Sequence, residues 1–137
     1  MKTILQVEDE EADIFLLQVV FKKAGIATKL EVATDGDEAI AALQNGKFAA
    51  GPPVCVLLDI KLPGRSGLEV LEWIRSQPKF RRLPVILLTS SNQPADINRA
   101  YDLGANSYLV KPDDLNALTE LIKTVDLYWI QMNTRPV

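Results

Sequence analysis

Residues 54–59 read Val54-Cys55-Val56-Leu57-Leu58-Asp59, an unbroken apolar run that ends on a carboxylate. A run of this length, apolar on both alternating faces, is what a strand buried in the middle of a parallel sheet requires. Val85-Ile86-Leu87-Leu88 repeats the pattern and ends on Thr89. Outward from these two, Ile4 to Val7, Leu30 to Ala33 and Ser107 to Val110 read as three further strands. Helical segments alternate with them. Ile14 to Ala24 is closed by Gly25. Asp35 and Glu38 have capping-box spacing ahead of Ala39, Ile40 and Leu43, with Gly46 closing. Ser66 and Glu69 repeat that spacing at the start of a helix Leu68 to Ser76, and Pro94 opens one that Gly104 closes. The stretch Lys47 to Pro53 is looser, ending in two prolines.

The last helix starts near Asp113 or Asp114. Leu115, Leu118, Ile122, Val125, Trp129 and Met132 then follow at intervals of three and four, one apolar stripe for packing on the sheet. Five strands alternating with five helices predict an α/β, doubly wound (βα)5 fold, a parallel sheet with helices on both faces. Such folds carry their chemistry at the carboxyl ends of the strands.

Composition narrows that chemistry. The chain has 137 residues, 47% of them hydrophobic, enough for one domain with an ordinary core. Fifteen basic against 18 acidic residues leave a net charge of −3, which argues against nucleic-acid binding. There is no histidine, which excludes a Ser-His-Asp hydrolase and a histidine-ligated zinc site. The single Cys55 reads as a small buried hydrophobe in a reducing, cytoplasmic setting, and no apolar run approaches a membrane span.

The strand tips hold Glu8, Asp9, Glu10 and Glu11 after the first strand, Asp59 after the third, Thr89 after the fourth and Lys111 after the fifth. Two carboxylates about 5 Å apart repel by roughly 3 kcal/mol at an effective dielectric near 20. A hard divalent cation relieves that repulsion, and oxygen-only donors favour Mg²⁺. Carboxylates, Mg²⁺, a lysine and a hydroxyl together suit a phosphoryl group, and a carboxylate can itself be the nucleophile.

Four stretches now make the reading specific: Ile4-Leu5-Gln6-Val7-Glu8-Asp9, Leu57 through Gly67 with Asp59-Ile60-Lys61-Leu62-Pro63-Gly64 at its centre, Val85 through Thr89, and Tyr108-Leu109-Val110-Lys111-Pro112. In this order and spacing the chain resembles a response-regulator receiver domain of two-component signalling. The resemblance implies the flavodoxin-like strand order 2-1-3-4-5 and a single receiver over residues 1–137 with no output domain. It also implies a non-enzymatic phosphoacceptor with at most slow self-dephosphorylation. Residue by residue, Asp59 matches the phosphoacceptor. Glu8, Asp9, Asp59 and the Lys61 main-chain carbonyl match the Mg²⁺ ligands. Thr89 and Lys111 match the phosphate-binding pair, and Thr89 and Tyr108 the switch residues. The bond to Pro112 is implied to be cis.

The chain is also similar to the small stand-alone regulators paired with bacterial and cyanobacterial phytochromes, through Ser76 to Pro84, Leu88 to Ser91 and the tail Asp126-Leu127-Tyr128-Trp129-Ile130. That likeness implies a sensor histidine kinase partner of the phytochrome kind; with no output module expected, output falls to protein interaction, dimer rearrangement or relay of phosphate to a histidine phosphotransfer protein. It further implies a homodimer formed through Tyr128, Trp129 and Met132. Competing readings are an aspartyl-phosphate phosphohydrolase, a nucleotide or flavin binder and a phosphate-independent docking module. The first wants a second Asp two residues after the nucleophile, where Lys61 stands, and the second wants a glycine-rich loop after the first strand, which is missing.

Overall fold

The computed structural model describes residues 2–46 and 51–136. Ten elements alternate along them: β1 (Thr3–Val7), α1 (Glu11–Lys23), β2 (Lys29–Ala33), α2 (Gly36–Gln44), β3 (Cys55–Leu58), α3 (Gly67–Ser76), β4 (Val85–Thr89), α4 (Pro94–Asp102), β5 (Ser107–Val110) and α5 (Leu115–Val125). The five strands form one parallel sheet in the order β2-β1-β3-β4-β5, as expected. Residues 47–50 of the looser stretch lie outside the described residues.

Strand alternation splits the core in two. Leu5, Val7, Val56, Leu58, Val85 and Leu87 pack with Ala39, Leu43, Val70, Leu71 and Ile74 on the α2–α3 side. Ile4, Cys55, Leu57, Ile86 and Leu88 pack with Leu17, Val20, Phe21 and Ile122 on the α1–α5 side. Burial on both faces is why β3 and β4 read as continuous apolar runs.

Local chemistry sets the helix ends. Ser66 and Glu69 form the full capping box at α3. At α2 the Asp35 carboxylate accepts from the Glu38 N–H at 2.7 Å, but the Glu38 carboxylate turns back one residue further, to the Thr34 N–H and hydroxyl. Gly25, at φ +69°, supplies the left-handed residue after α1. That helix starts at Glu11, three residues before the apolar pattern begins, because its first turn is acidic rather than apolar.

The expected stripe of the last helix is only partly realised. Past Val125 the chain winds as a π-helix, Asp126–Met132, with the Asn133 N–H donating to the Tyr128 carbonyl at 2.6 Å. The wider turn brings Ile130 into the core. Trp129 packs half-buried beside it, while Met132 faces out at 64% exposure. Among the described residues no helix is long and apolar enough to cross a membrane.

Candidate functional site

Parallel pairing brings the strand ends into register, with Val7 opposite Leu58, Leu58 opposite Leu87, and Thr89 opposite Val110. Main-chain bonds extend the ladders beyond the strands. The Asp59 N–H donates to the Val7 carbonyl at 3.1 Å, the Glu8 N–H to the Ala33 carbonyl at 3.0 Å, and the Lys111 N–H to the Thr89 carbonyl at 2.8 Å. Each site residue is therefore fixed by the backbone of a neighbouring strand, before any side chain acts.

The side chains then meet. The Lys111 ammonium donates to Glu8 Oε1 at 2.5 Å, to Asp13 Oδ2 at 3.0 Å and to Asp59 Oδ2 at 3.0 Å. Glu8 is only 2% exposed. Its other oxygen accepts from the Glu10 N–H at 3.2 Å, and Asp59 Oδ1 accepts from the Ile60 N–H at 2.7 Å. Asp9, Asp59, Lys61, Thr89 and Lys111 line one open cleft of about 870 Å³ above the sheet.

One ammonium among three carboxylates leaves excess negative charge. Burial, reinforced by the charge of Asp59, pushes the Glu8 carboxyl up to about 7 despite its bond to Lys111. Burial pulls Lys111 down, but its hydrogen bonds to Glu8 and Asp13 and the field of Asp59 outweigh that and hold it above the ordinary lysine range. The ammonium therefore stays charged, and the shortfall of positive charge falls on Glu8.

Thr89 is buried at the cleft wall, where its hydroxyl oxygen faces the Ser91 N–H at 3.5 Å. Tyr108 is half-buried, and its hydroxyl donates to the Ser91 carbonyl at 2.9 Å. Thr89 and Tyr108 thus meet on the same residue, Ser91, from opposite ends. Burial raises the Tyr108 phenol above its ordinary value. Cys55 is fully buried on the far side of β3, and burial pushes its thiol up to about 12, so it takes no part in the chemistry.

Two results depart from the sequence reading. Among the described residues every peptide bond is trans, the Lys111–Pro112 bond included, against the expected cis form. An X–Pro bond favours trans by about 0.5–1 kcal/mol, and Lys111 reaches all three acids with it trans. Asp13 was not foreseen. It comes to Lys111 because it lies in the first turn of α1, whose start the apolar pattern placed too late; four residues beyond Asp9 was the available signal.

The donors expected for a cation are all oxygen, from Glu8, Asp9, Asp59 and the main chain at Lys61; of these Asp9, Asp59 and Lys61 line the cleft and Glu8 does not. Among the described residues no three acidic side chains close into a metal cage. The Lys111 ammonium holds the centre between Glu8, Asp13 and Asp59 instead. The excess of three carboxylates over one ammonium and the hard donors nevertheless fit a divalent cation entering from the cleft on the Asp9 side.

A model of the response regulator receiver domain matches residues 4–123. The chain belongs to the response regulator receiver family. Among curated relatives of this receiver, the response regulator Rcp1 of Synechocystis sp. is 38% identical over 137 residues, covering 98% of this chain and 93% of the relative. The crystal structure of the Mn²⁺-bound form of Rcp1 superposes with a TM-score of 0.87 at 37% identity, covering 100% of both chains. The phosphorylated cyanobacterial phytochrome response regulator RcpA gives a TM-score of 0.90 at 36% identity over 99% of each chain. The parallel sheet read from the apolar runs, and the strand order that the resemblance implied, agree with these neighbours.

Proposed function

We propose that this receiver is the phosphoacceptor of a two-component relay, with Asp59 taking a phosphoryl group from the phosphohistidine of a sensor histidine kinase. The observation that carries the proposal is the Lys111 ammonium at 3.0 Å from Asp59 Oδ2, in a cleft that Asp9, Asp13 and Thr89 also line. An Asp59 carboxylate oxygen attacks phosphorus, the P–N bond to the kinase imidazole breaks, and an acyl phosphate forms while the imidazole recovers a proton. Lys111 and the Thr89 hydroxyl then bind the new phosphoryl oxygens. Glu8, Asp9, Asp59 and the Lys61 main-chain carbonyl would hold Mg²⁺. The ion supplies charge neutralisation for the incoming phosphoryl group.

Output follows from the same geometry. A phosphoryl group drawing Thr89 inward releases the space that Tyr108 enters, leaving Ser91 behind. The surface of α4, β5 and α5 changes with them. RcpA is a cyanobacterial phytochrome response regulator, and we assign this receiver a sensor kinase of the phytochrome kind. Its surface then passes the signal on by protein contact, as a homodimer or to a histidine phosphotransfer protein, in the cytoplasm. The dimer face is Tyr128 and Met132, with Trp129 as its inner support. Lys61, standing where a phosphohydrolase needs its acid, keeps the chain from turning over external phosphates.

Intact mass spectrometry after incubation with acetyl phosphate and Mg²⁺ tests this reading. One added phosphoryl group is expected, and none in Asp59→Asn. An unmodified wild-type chain refutes it.

A further inference from the structure

On the α1–α5 face of the sheet the buried positions are apolar but for Gln6 and, at the carboxyl end, Glu8. Gln6 lies on that face of β1, between Ile4 and Glu8, and is 4% exposed. Its Oε1 is, among the described residues, the buried side-chain polar atom that has no hydrogen-bond partner. Native interiors seldom leave an amide oxygen in that condition, so an orphan of this kind points to something that completes it. A cavity of about 220 Å³ adjoins it, lined on its apolar side by Leu16, Leu17, Leu88, Pro112 and Leu118 and on its polar side by Glu8, Asp13, Ser90, Lys111 and Asp113. Among its walls Leu16 is 37% exposed, whereas Glu8 is buried in its pair with Lys111.

Size and lining define an occupant. An apolar cavity of about 150 Å³ admits benzene, so this one holds a molecule of that size with a substituent. Four leucines give an occupant an apolar wall for a carbon skeleton, while Asp13, Ser90 and Asp113 give it a polar rim. Glu8 and Lys111 are already bound to each other, which leaves the Gln6 amide as the group in need of a partner. A hydroxyl both donates and accepts, so it satisfies that amide in either orientation.

We propose that this cavity is a binding site for a compact, mainly apolar molecule bearing one hydroxyl. The hydroxyl meets Gln6 and the carbon skeleton lies against Leu16, Leu17, Leu88 and Leu118. The site borders the phosphoacceptor cleft, sharing Asp13, Ser90 and Lys111 with it, and needs neither metal nor phosphate.

Benzyl alcohol and toluene serve as probes of the full chain, titrated by ¹H–¹⁵N NMR without Mg²⁺ or phosphodonor. Saturable shifts at Leu17, Leu88 and Leu118 are expected with benzyl alcohol. Gln6→Leu should weaken benzyl alcohol about tenfold, the loss of one buried hydrogen bond, and leave toluene nearly unchanged. Leu16→Trp, made at the exposed wall, should block both probes whether or not Gln6→Leu folds. The proposal is overturned by linear, unsaturable shifts, by equal benzyl alcohol affinity in Gln6→Leu, or by undiminished binding in Leu16→Trp. A crystal soaked in benzyl alcohol that shows ordered water alone beside Gln6 overturns it as well.

Discussion

Lys111 Nζ stands 3.0 Å from Asp59 Oδ2, although 52 residues separate them in the chain. The pair is closed by pairing of β3 to β4 and β4 to β5, not by any local turn. The same ammonium also serves Glu8 and Asp13, so it is the counter-ion of the whole site.

Removing that counter-ion leaves buried acids facing each other. Lys111→Met is expected to lower unfolding free energy by about 3 kcal/mol at pH 8, measured by urea denaturation with chelator present. The deficit should shrink by pH 5.5, as the acids take up protons and their repulsion fades. An equal deficit at both pH values would mean that the lysine acts by packing alone.

Glu8 gives a second handle on pH. Its carboxyl lies at about 7 in the folded chain against an ordinary 4.5, chiefly through burial. A raised acid stabilises the fold below its unfolded value, and that contribution disappears as pH rises through the folded value. Glu8→Gln, which keeps the neutral form at every pH, should therefore be more stable than wild type by on the order of 2 kcal/mol at pH 8 in chelator. The gain should vanish near pH 4. A gain that instead grows on acidification would reverse the assignment.

Gly67 governs the loop that carries the acceptor. Its N–H donates to the Ile60 carbonyl at 2.8 Å, and a Cβ at this position would collide with the Asp59 main-chain carbonyl oxygen. Gly67→Ala should cost about 3 kcal/mol of stability and slow phosphorylation by acetyl phosphate by an order of magnitude or more. Thermal unfolding and timed intact-mass measurements check the two effects. Wild-type values for both would show that α3 can shift freely against Asp59.

The carboxyl-terminal surface separates two roles that the sequence merged. Leu127, Tyr128 and Met132 are 51%, 49% and 64% exposed, whereas Trp129 packs inward against the α1–α5 core. For the proposed homodimer, Tyr128→Glu combined with Met132→Glu should shift the mass from light scattering toward the monomer with little loss of stability. Trp129→Ala should lower the melting temperature. A dimer mass that survives the double change removes this face from the assembly.

What the sequence made legible follows from what each feature depends on. Asp59, Thr89 and Lys111 were visible because each ends an apolar strand, and a parallel sheet places strand ends together whatever the loops do. Asp13 was hidden because its position depends on where α1 begins, and an acidic first turn carries no apolar period. The π-helix from Asp126 was hidden because intervals of three and four among Leu115 to Met132 describe an α-helix equally well. Gly67 stood in plain view within a recognisable stretch, yet its reason, the approach of the Asp59 carbonyl, exists only in three dimensions. The unpaired Gln6 amide is of the same kind, since only the fold shows that nothing reaches it.

The chemistry at Asp59 can be read directly by trapping. After treatment with acetyl phosphate and Mg²⁺, borohydride reduces an acyl phosphate to an alcohol, converting the phosphorylated Asp to homoserine in peptide mass spectra. The expected result is homoserine at position 59 alone, absent when chelator replaces Mg²⁺. Homoserine at Asp9 or Asp13 instead, or none at all from a folded chain, would contradict the account.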